Sequence, residues 1–126
     1  MIHHVSIGVR DIAKSKSFYD AVLAPLGYTC LRSQETWLGY GKDRVVFSAR
    51  LSANPVPSDP LSGLHFCFVA PTREGVVEFH EVALSAGGRD NGKPGLRPDY
   101  ASTYFSAYVL DPDGYRIEAY CGEKAP

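Results

Sequence analysis

Three side chains spread along the 126 residues could together hold a metal ion: His4, His65 and Glu118. Two imidazoles and one carboxylate make a facial ligand set for a divalent cation, leaving several positions open for water or substrate. The three are far apart in sequence, so separate elements must bring them together. Each also has a plainer role to weigh. A single strand histidine is usually partly buried with a satisfied hydrogen bond, and a single glutamate is usually solvated.

The elements that would position them can be read in order. Residues 2–9 (IHHVSIGV) form a strand, ended by Asp11, a favoured helix N-cap. Successive strand side chains face opposite sides, so His3 joins Val5, Ile7 and Val9, while His4 joins Ser6 and Gly8. From 12 to 26, Ile12, Phe18, Tyr19, Val22, Leu23 and Leu26 recur at helical spacing, and Gly27 is a stop. Short strands are expected at 28–32, 35–40 and 44–50, followed by the proline- and serine-rich connector at 52–62. Then LHFCFVA (64–70) reads as a strand, Thr72 caps a helix to about Ala86, and Gly87-Gly88 stops it. DNGKPGLRPD (90–99) reads as a loop long enough to be a lid or pocket wall. The segments 102–110 and 115–120 form a hairpin around Asp111-Pro112-Asp113-Gly114, which is turn chemistry before it is a calcium loop.

The order repeats, and so do its residues. At an offset of 61, His4 falls on His65, Asp11 on Thr72, Phe18 on Phe79, Leu23 on Leu84 and Gly27 on Gly88, without a gap. The chain therefore reads as two βαβββ modules, residues 1–51 and 63–121, in a single domain of the α+β class. In module two, Leu64, Phe66 and Phe68 share one strand face, and His65 and Cys67 the other. Ile117 and Ala119 likewise oppose Arg116, Glu118 and Tyr120, and Phe105, Ala107 and Val109 oppose Tyr104, Ser106 and Tyr108. Each strand thus has an apolar face for a helix and a second face rich in polar and aromatic groups. If the sheet curves with its helices outside, these second faces line a cup holding His4, His65 and Glu118.

Composition narrows the partners. Net charge is −1 with scattered basic residues, so nothing marks nucleic acid or an anionic membrane as a partner. No basic leader precedes an apolar core at the N-terminus, and no apolar run reaches membrane-spanning length. Three widely spaced cysteines (Cys30, Cys67, Cys121) make no disulfide framework, which favours a reducing, cytoplasmic setting.

IHHVSIGVRDIAKSKSFYDAVLAPLG, GLHFCFVA and DPDGYRIEAY together resemble the vicinal oxygen chelate superfamily, which includes glyoxalase I, bleomycin and fosfomycin resistance proteins and extradiol dioxygenases. The likeness spans the chain, and GGRDNGKPGLRPDY (87–100) is similar to a group of small bacterial glyoxalase-like proteins. It implies two βαβββ modules in a curved, partly open mixed β-barrel with helices on the convex face. It also implies a homodimer, and a divalent metal (Zn, Mn, Fe, Ni or Co) on His4, His65 and Glu118. Glyoxalase I-like relatives add a carboxylate on the last strand of module one. Here RVVFSAR places Phe47 or Ser48 there, so the three-ligand set looks more like fosfomycin resistance enzymes and extradiol dioxygenases. Among other residues, Tyr104 and Tyr108 could position a substrate or donate a proton, beside Glu118 as catalytic groups. Trp37, Phe47, Arg97, Tyr104 and Arg116 are candidates to contact substrate, although core packing or solvent contact would also explain most of them. Two functions follow: a metal-dependent enzyme acting on a small oxygen-rich molecule, or a metal-free drug- or metabolite-binding protein.

Overall fold

The computed structural model describes residues 1–122. Module one runs β1 (Val5–Val9), α1 (Ile12–Leu23), a 3-10 turn (Ala24–Leu26), β2 (Thr29–Gln34), β3 (Trp37–Gly41) and β4 (Val45–Leu51). Module two runs β5 (His65–Val69), α2 (Arg73–Ser85), β6 (Arg89–Leu96), β7 (Phe105–Leu110) and β8 (Arg116–Cys121). Each module folds its strands into one four-stranded mixed sheet, in the orders β1-β4-β3-β2 and β5-β8-β7-β6. The first strand of each module pairs in parallel with its last, and the remaining pairs are antiparallel. The fold is α+β, and the two sheets do not close into one barrel.

The repeat is strongest where local chemistry sets the backbone. Asp11 and Thr72 both cap their helices by accepting a hydrogen bond from the third residue on, Lys14 N at 3.0 Å and Gly75 N at 3.0 Å. Phe18 and Phe79 are both fully buried, but Leu23 is buried while Leu84 is 46% exposed, so the helix faces match only in part. The glycine stops differ by one residue: the left-handed positions are Gly27 (φ 85°) and Gly87 (φ 96°). Gly88 serves close packing instead. A Cβ there would stand 2.6 Å from the Phe18 ring and 2.9 Å from the Ala83 and Leu110 carbonyl oxygens.

Segment 90–99 is corrected from loop to strand over most of its length. β6 is an edge strand paired only with β7, and its register slips at Asp90/Gly92 and again at Gly92/Gly95. Those irregularities, with Pro94 tolerated at a sheet edge, erase the alternation by which a strand is read. His80 of α2 helps seat the strand: its Nε2 lies 2.8 Å from Asp90 Oδ1, and that carboxylate also accepts from Gly92 N at 3.0 Å.

One core serves both modules. α1 and α2 pack on each other, and the Phe47 ring of β4 lies tilted at 4.9 Å from Tyr19 and edge-on at 5.3 Å from Phe68 of β5. The DPDG turn is tied across the molecule rather than to an ion. Asp111 is buried, accepts from Tyr19 Oη at 2.5 Å, and accepts from the backbone N–H groups of Asp113 (2.9 Å) and Tyr115 (2.8 Å). Asp113 pairs with Arg10 at 3.2 Å, and Tyr115 Oη donates to the Gly8 carbonyl at 2.7 Å. No helix among the described residues is long and apolar enough to cross a membrane.

Candidate functional site

β8 is the centre of the site because it is flanked by β5 and β7, which press Glu118 between two neighbours. Parallel pairing sets Cys67 opposite Glu118 and His65 opposite Arg116, while the antiparallel side sets Tyr108 opposite Glu118. Glu118 is only 2% exposed. Its Oε2 accepts from Tyr104 Oη at 2.6 Å, and its Oε1 lies 3.2 Å from His65 Nε2. A carboxylate so withdrawn from water needs such partners, since an uncompensated buried charge costs several kcal/mol. The His65 ring itself remains about half exposed.

That recess, about 440 Å³, is lined by His65, Asn91, Tyr100, Tyr104, Tyr108, Arg116 and Glu118. Every lining residue comes from module two. The neighbouring groups are set as proton holders. Desolvation first, then the bond to Glu118 and its charge, push the Tyr104 hydroxyl well above the usual phenol range. Desolvation chiefly raises Tyr108 as well. Partial withdrawal from water and the adjacent Glu118 charge push the Cys67 thiol up to about 12. At neutral pH all three carry their hydrogen and act as donors.

The other sequence candidates lie as follows. His3 and His4 precede β1, are exposed, and meet each other at 2.9 Å through Nδ1. Among the described residues of one chain, no three His, Cys, Asp or Glu side chains cluster as a metal site. The structure therefore brings His65 and Glu118 together and leaves His4 outside. On module one, Ser48 pairs with Ser6 on the polar face (Oγ–Oγ 2.6 Å), while Phe47 is 2% exposed in the core. Ser48 thus shares the face of Ser6, opposite the core, and is no carboxylate. Trp37, on the same polar face, lies under the Arg50 guanidinium at 5.1 Å, away from the Glu118 recess. Arg97 covers the Tyr108 ring at 5.3 Å and donates to the carbonyls of Lys93 (2.5 Å) and Ser106 (3.3 Å). Arg116 donates to the Asp59 carbonyl at 2.8 Å. Asn91 and Tyr100 carry no signal in the sequence: Asn91 because β6 lacks alternation, Tyr100 because it sits in the irregular stretch after it.

Comparison with known proteins gives the family. The family model described as Glyoxalase/Bleomycin resistance protein/Dioxygenase superfamily matches residues 1–119. A Vibrio cholerae protein named "Probable lactoylglutathione lyase" is 30% identical over 125 residues, covering 93% of this chain and 87% of its own length. A Synechocystis protein of the same name is 30% identical over 123 residues, covering 91% and 90%. The crystal structure of a glyoxalase/bleomycin resistance protein from Albidiferax ferrireducens is similar with a TM-score of 0.83 and 30% identity, covering 94% of this chain and 96% of that one. A glyoxalase-related enzyme from Fulvimarina pelagi shares the fold at a TM-score of 0.75 and 20% identity. With these matches spanning nearly the whole chain, it belongs to the glyoxalase/bleomycin resistance protein/dioxygenase superfamily.

Proposed function

We propose that the chain is a divalent-metal-dependent glyoxalase-like enzyme, with His65 and Glu118 as two ligands and His4 of a second copy as the third. The observation that carries this is the Glu118 carboxylate, buried yet turned to a recess, with an imidazole at 3.2 Å. Donor types and convergence fit a divalent ion, and Zn, Mn, Fe, Ni and Co all accept two imidazoles and a carboxylate. A second copy is invoked because the recess is lined by module two alone, whereas His4, Ser6 and Ser48 share the polar face of module one. A two-fold dimer setting module one of one protomer over module two of its partner would complete two such cups at once. β1 and β5 each stand at the edge of their sheet.

A bound ion would serve as Lewis acid toward two neighbouring oxygens of a small substrate. Tyr104 holds Glu118 in place through its hydroxyl hydrogen, and Tyr108, protonated at neutral pH, can donate to a substrate oxygen. The relatives' name makes a lactoylglutathione lyase reaction the first to assay. Ser48 in place of a carboxylate argues for a three-ligand variant that need not share that reaction. The second reading, a metal-free binder of a drug or metabolite, draws on the tyrosine-rich recess and on His4 standing apart from His65 and Glu118 within one chain.

Elemental analysis of purified protein tests the choice. The enzyme reading expects near-stoichiometric metal, lost in His4→Ala, His65→Ala and Glu118→Gln. Sub-stoichiometric metal with His4→Ala unchanged, and thermal stabilisation by drugs but by no metal, would overturn it in favour of the binder.

A further inference from the structure

The recess holds donors and ring faces that the metal reading leaves unused. Tyr104 lies between two other tyrosines, with ring centroids 4.2 Å from Tyr120 and 5.0 Å from Tyr100. Tyr100 ends this row at the surface, 68% exposed, so one end of an aromatic stack stands open at the mouth of the recess. Aromatic rings stack offset or tilted at such spacings, and an open end favours another flat ring. A second, adjoining recess of about 500 Å³ shares Asn91, Tyr100 and Tyr108 with the first and adds Leu96, Arg97, Pro98 and Asp99.

The two recesses set two guanidiniums, Arg97 and Arg116, against two carboxylates, Glu118 and Asp99, but the donors are not all used up. Glu118 already accepts from Tyr104 and lies beside His65. Arg116 spends Nη2 on the Asp59 carbonyl, and Arg97 spends Nε and Nη2 on Lys93 and Ser106. Among the described residues the Nη1 groups of both arginines and the Asn91 amide donate to no protein acceptor within hydrogen-bond distance. Each guanidinium carries five N–H donors in a plane, suited to a carboxylate. The Arg97 plane is moreover steadied by the Tyr108 ring beneath it.

Flat ring surface beside unfilled cationic donors selects for one kind of molecule. Resting on the assignment of this recess as the substrate site, we infer that its ligand is a planar aromatic carboxylate. Its ring continues the Tyr120–Tyr104–Tyr100 row, and its carboxylate meets Arg116 with Asn91 or Arg97 beside it. The two joined recesses fall in the size range of small-molecule sites, which admits a one- or two-ring compound.

Three probes separate ring from charge: 2-naphthoate, the uncharged 2-naphthol, and the non-aromatic cyclohexanecarboxylate. Each is titrated into the purified full chain, and amide shifts are followed by NMR. The expected order is 2-naphthoate tightest, with both comparators at least about fivefold weaker. Tyr100→Ala, a surface change that leaves the core intact, should weaken 2-naphthoate about 3- to 10-fold and cyclohexanecarboxylate hardly at all. Arg116→Gln should remove the preference for 2-naphthoate over 2-naphthol. Metal content is measured on the same samples. If cyclohexanecarboxylate binds as well as 2-naphthoate, or if Tyr100→Ala changes nothing, the aromatic-carboxylate assignment is overturned even where metal is bound. If 2-naphthoate binds with both dependences to protein that takes up no metal, the assignment stands and the metal reading falls.

Discussion

Asp111 offers a quantitative test of how the two modules are held together. Its carboxyl is 2% exposed, and burial pushes it up to about 6, against the lowering by Tyr19 and by the N–H groups of Tyr115 and Asp113. In the unfolded chain the same carboxyl returns to 3.8. Between these values the folded state binds the extra proton, so stability falls as pH rises from about 4 to about 6 and is level above that. At 1.36 kcal/mol per pH unit the whole effect is at most ~3 kcal/mol. Asp111→Asn keeps the shape: its oxygen can accept the same two backbone N–H groups, and its amide can donate to the Tyr19 oxygen. The neutral residue has nothing to titrate. Urea unfolding of both proteins, in half-unit steps from about pH 4 to about pH 7, gives the difference in unfolding free energy, from which shared titrations cancel. Wild type should lose ground to Asp111→Asn by ~2–3 kcal/mol across the window. A difference that is flat with pH, or that moves in favour of wild type as pH rises, would refute the reasoning.

Two further substitutions probe packing. Gly88→Ala should destabilise by ~1–3 kcal/mol, because the new methyl meets two carbonyl oxygens at 2.9 Å as well as the Phe18 ring. A urea midpoint within the error of wild type would show that the backbone there yields freely. Tyr115→Phe removes the 2.7 Å bond to the Gly8 carbonyl and should cost ~1 kcal/mol, measured the same way. No change would mean that water replaces the lost hydroxyl.

Much of the fold is legible in the sequence because it is written locally. Asp11 and Thr72 announce their helices by residue type, and the alternation in HFCFV separates His65 and Cys67 from Phe66 and Phe68 without any knowledge of the partner strand. β6 was hidden because its order comes from β7: glycines and a proline give no periodicity of their own, and two register shifts scramble what remains. The two aspartates of the DPDG turn are readable as turn formers, yet their chief partners, Tyr19 and Arg10, lie 92 and 103 residues away. The site divides in the same manner. Strand phase and repeat place His65 and Glu118 on one face, where the structure has them 3.2 Å apart. Strand phase also assigns His4 to the polar face of module one, but it cannot say which polar face of which module meets it. That depends on packing between sheets, a property no single strand encodes.

A hybrid dimer decides the matter of His4. Chains carrying His4→Ala and chains carrying Glu118→Gln are co-expressed with different tags, and the mixed dimer is isolated for elemental analysis. If His4 reaches across to the His65–Glu118 pair of the partner, the hybrid retains one intact site, and about one ion per dimer should be found. Both parent variants should hold none. A hybrid without metal, beside a wild type that holds two ions per dimer, would contradict a site shared between copies.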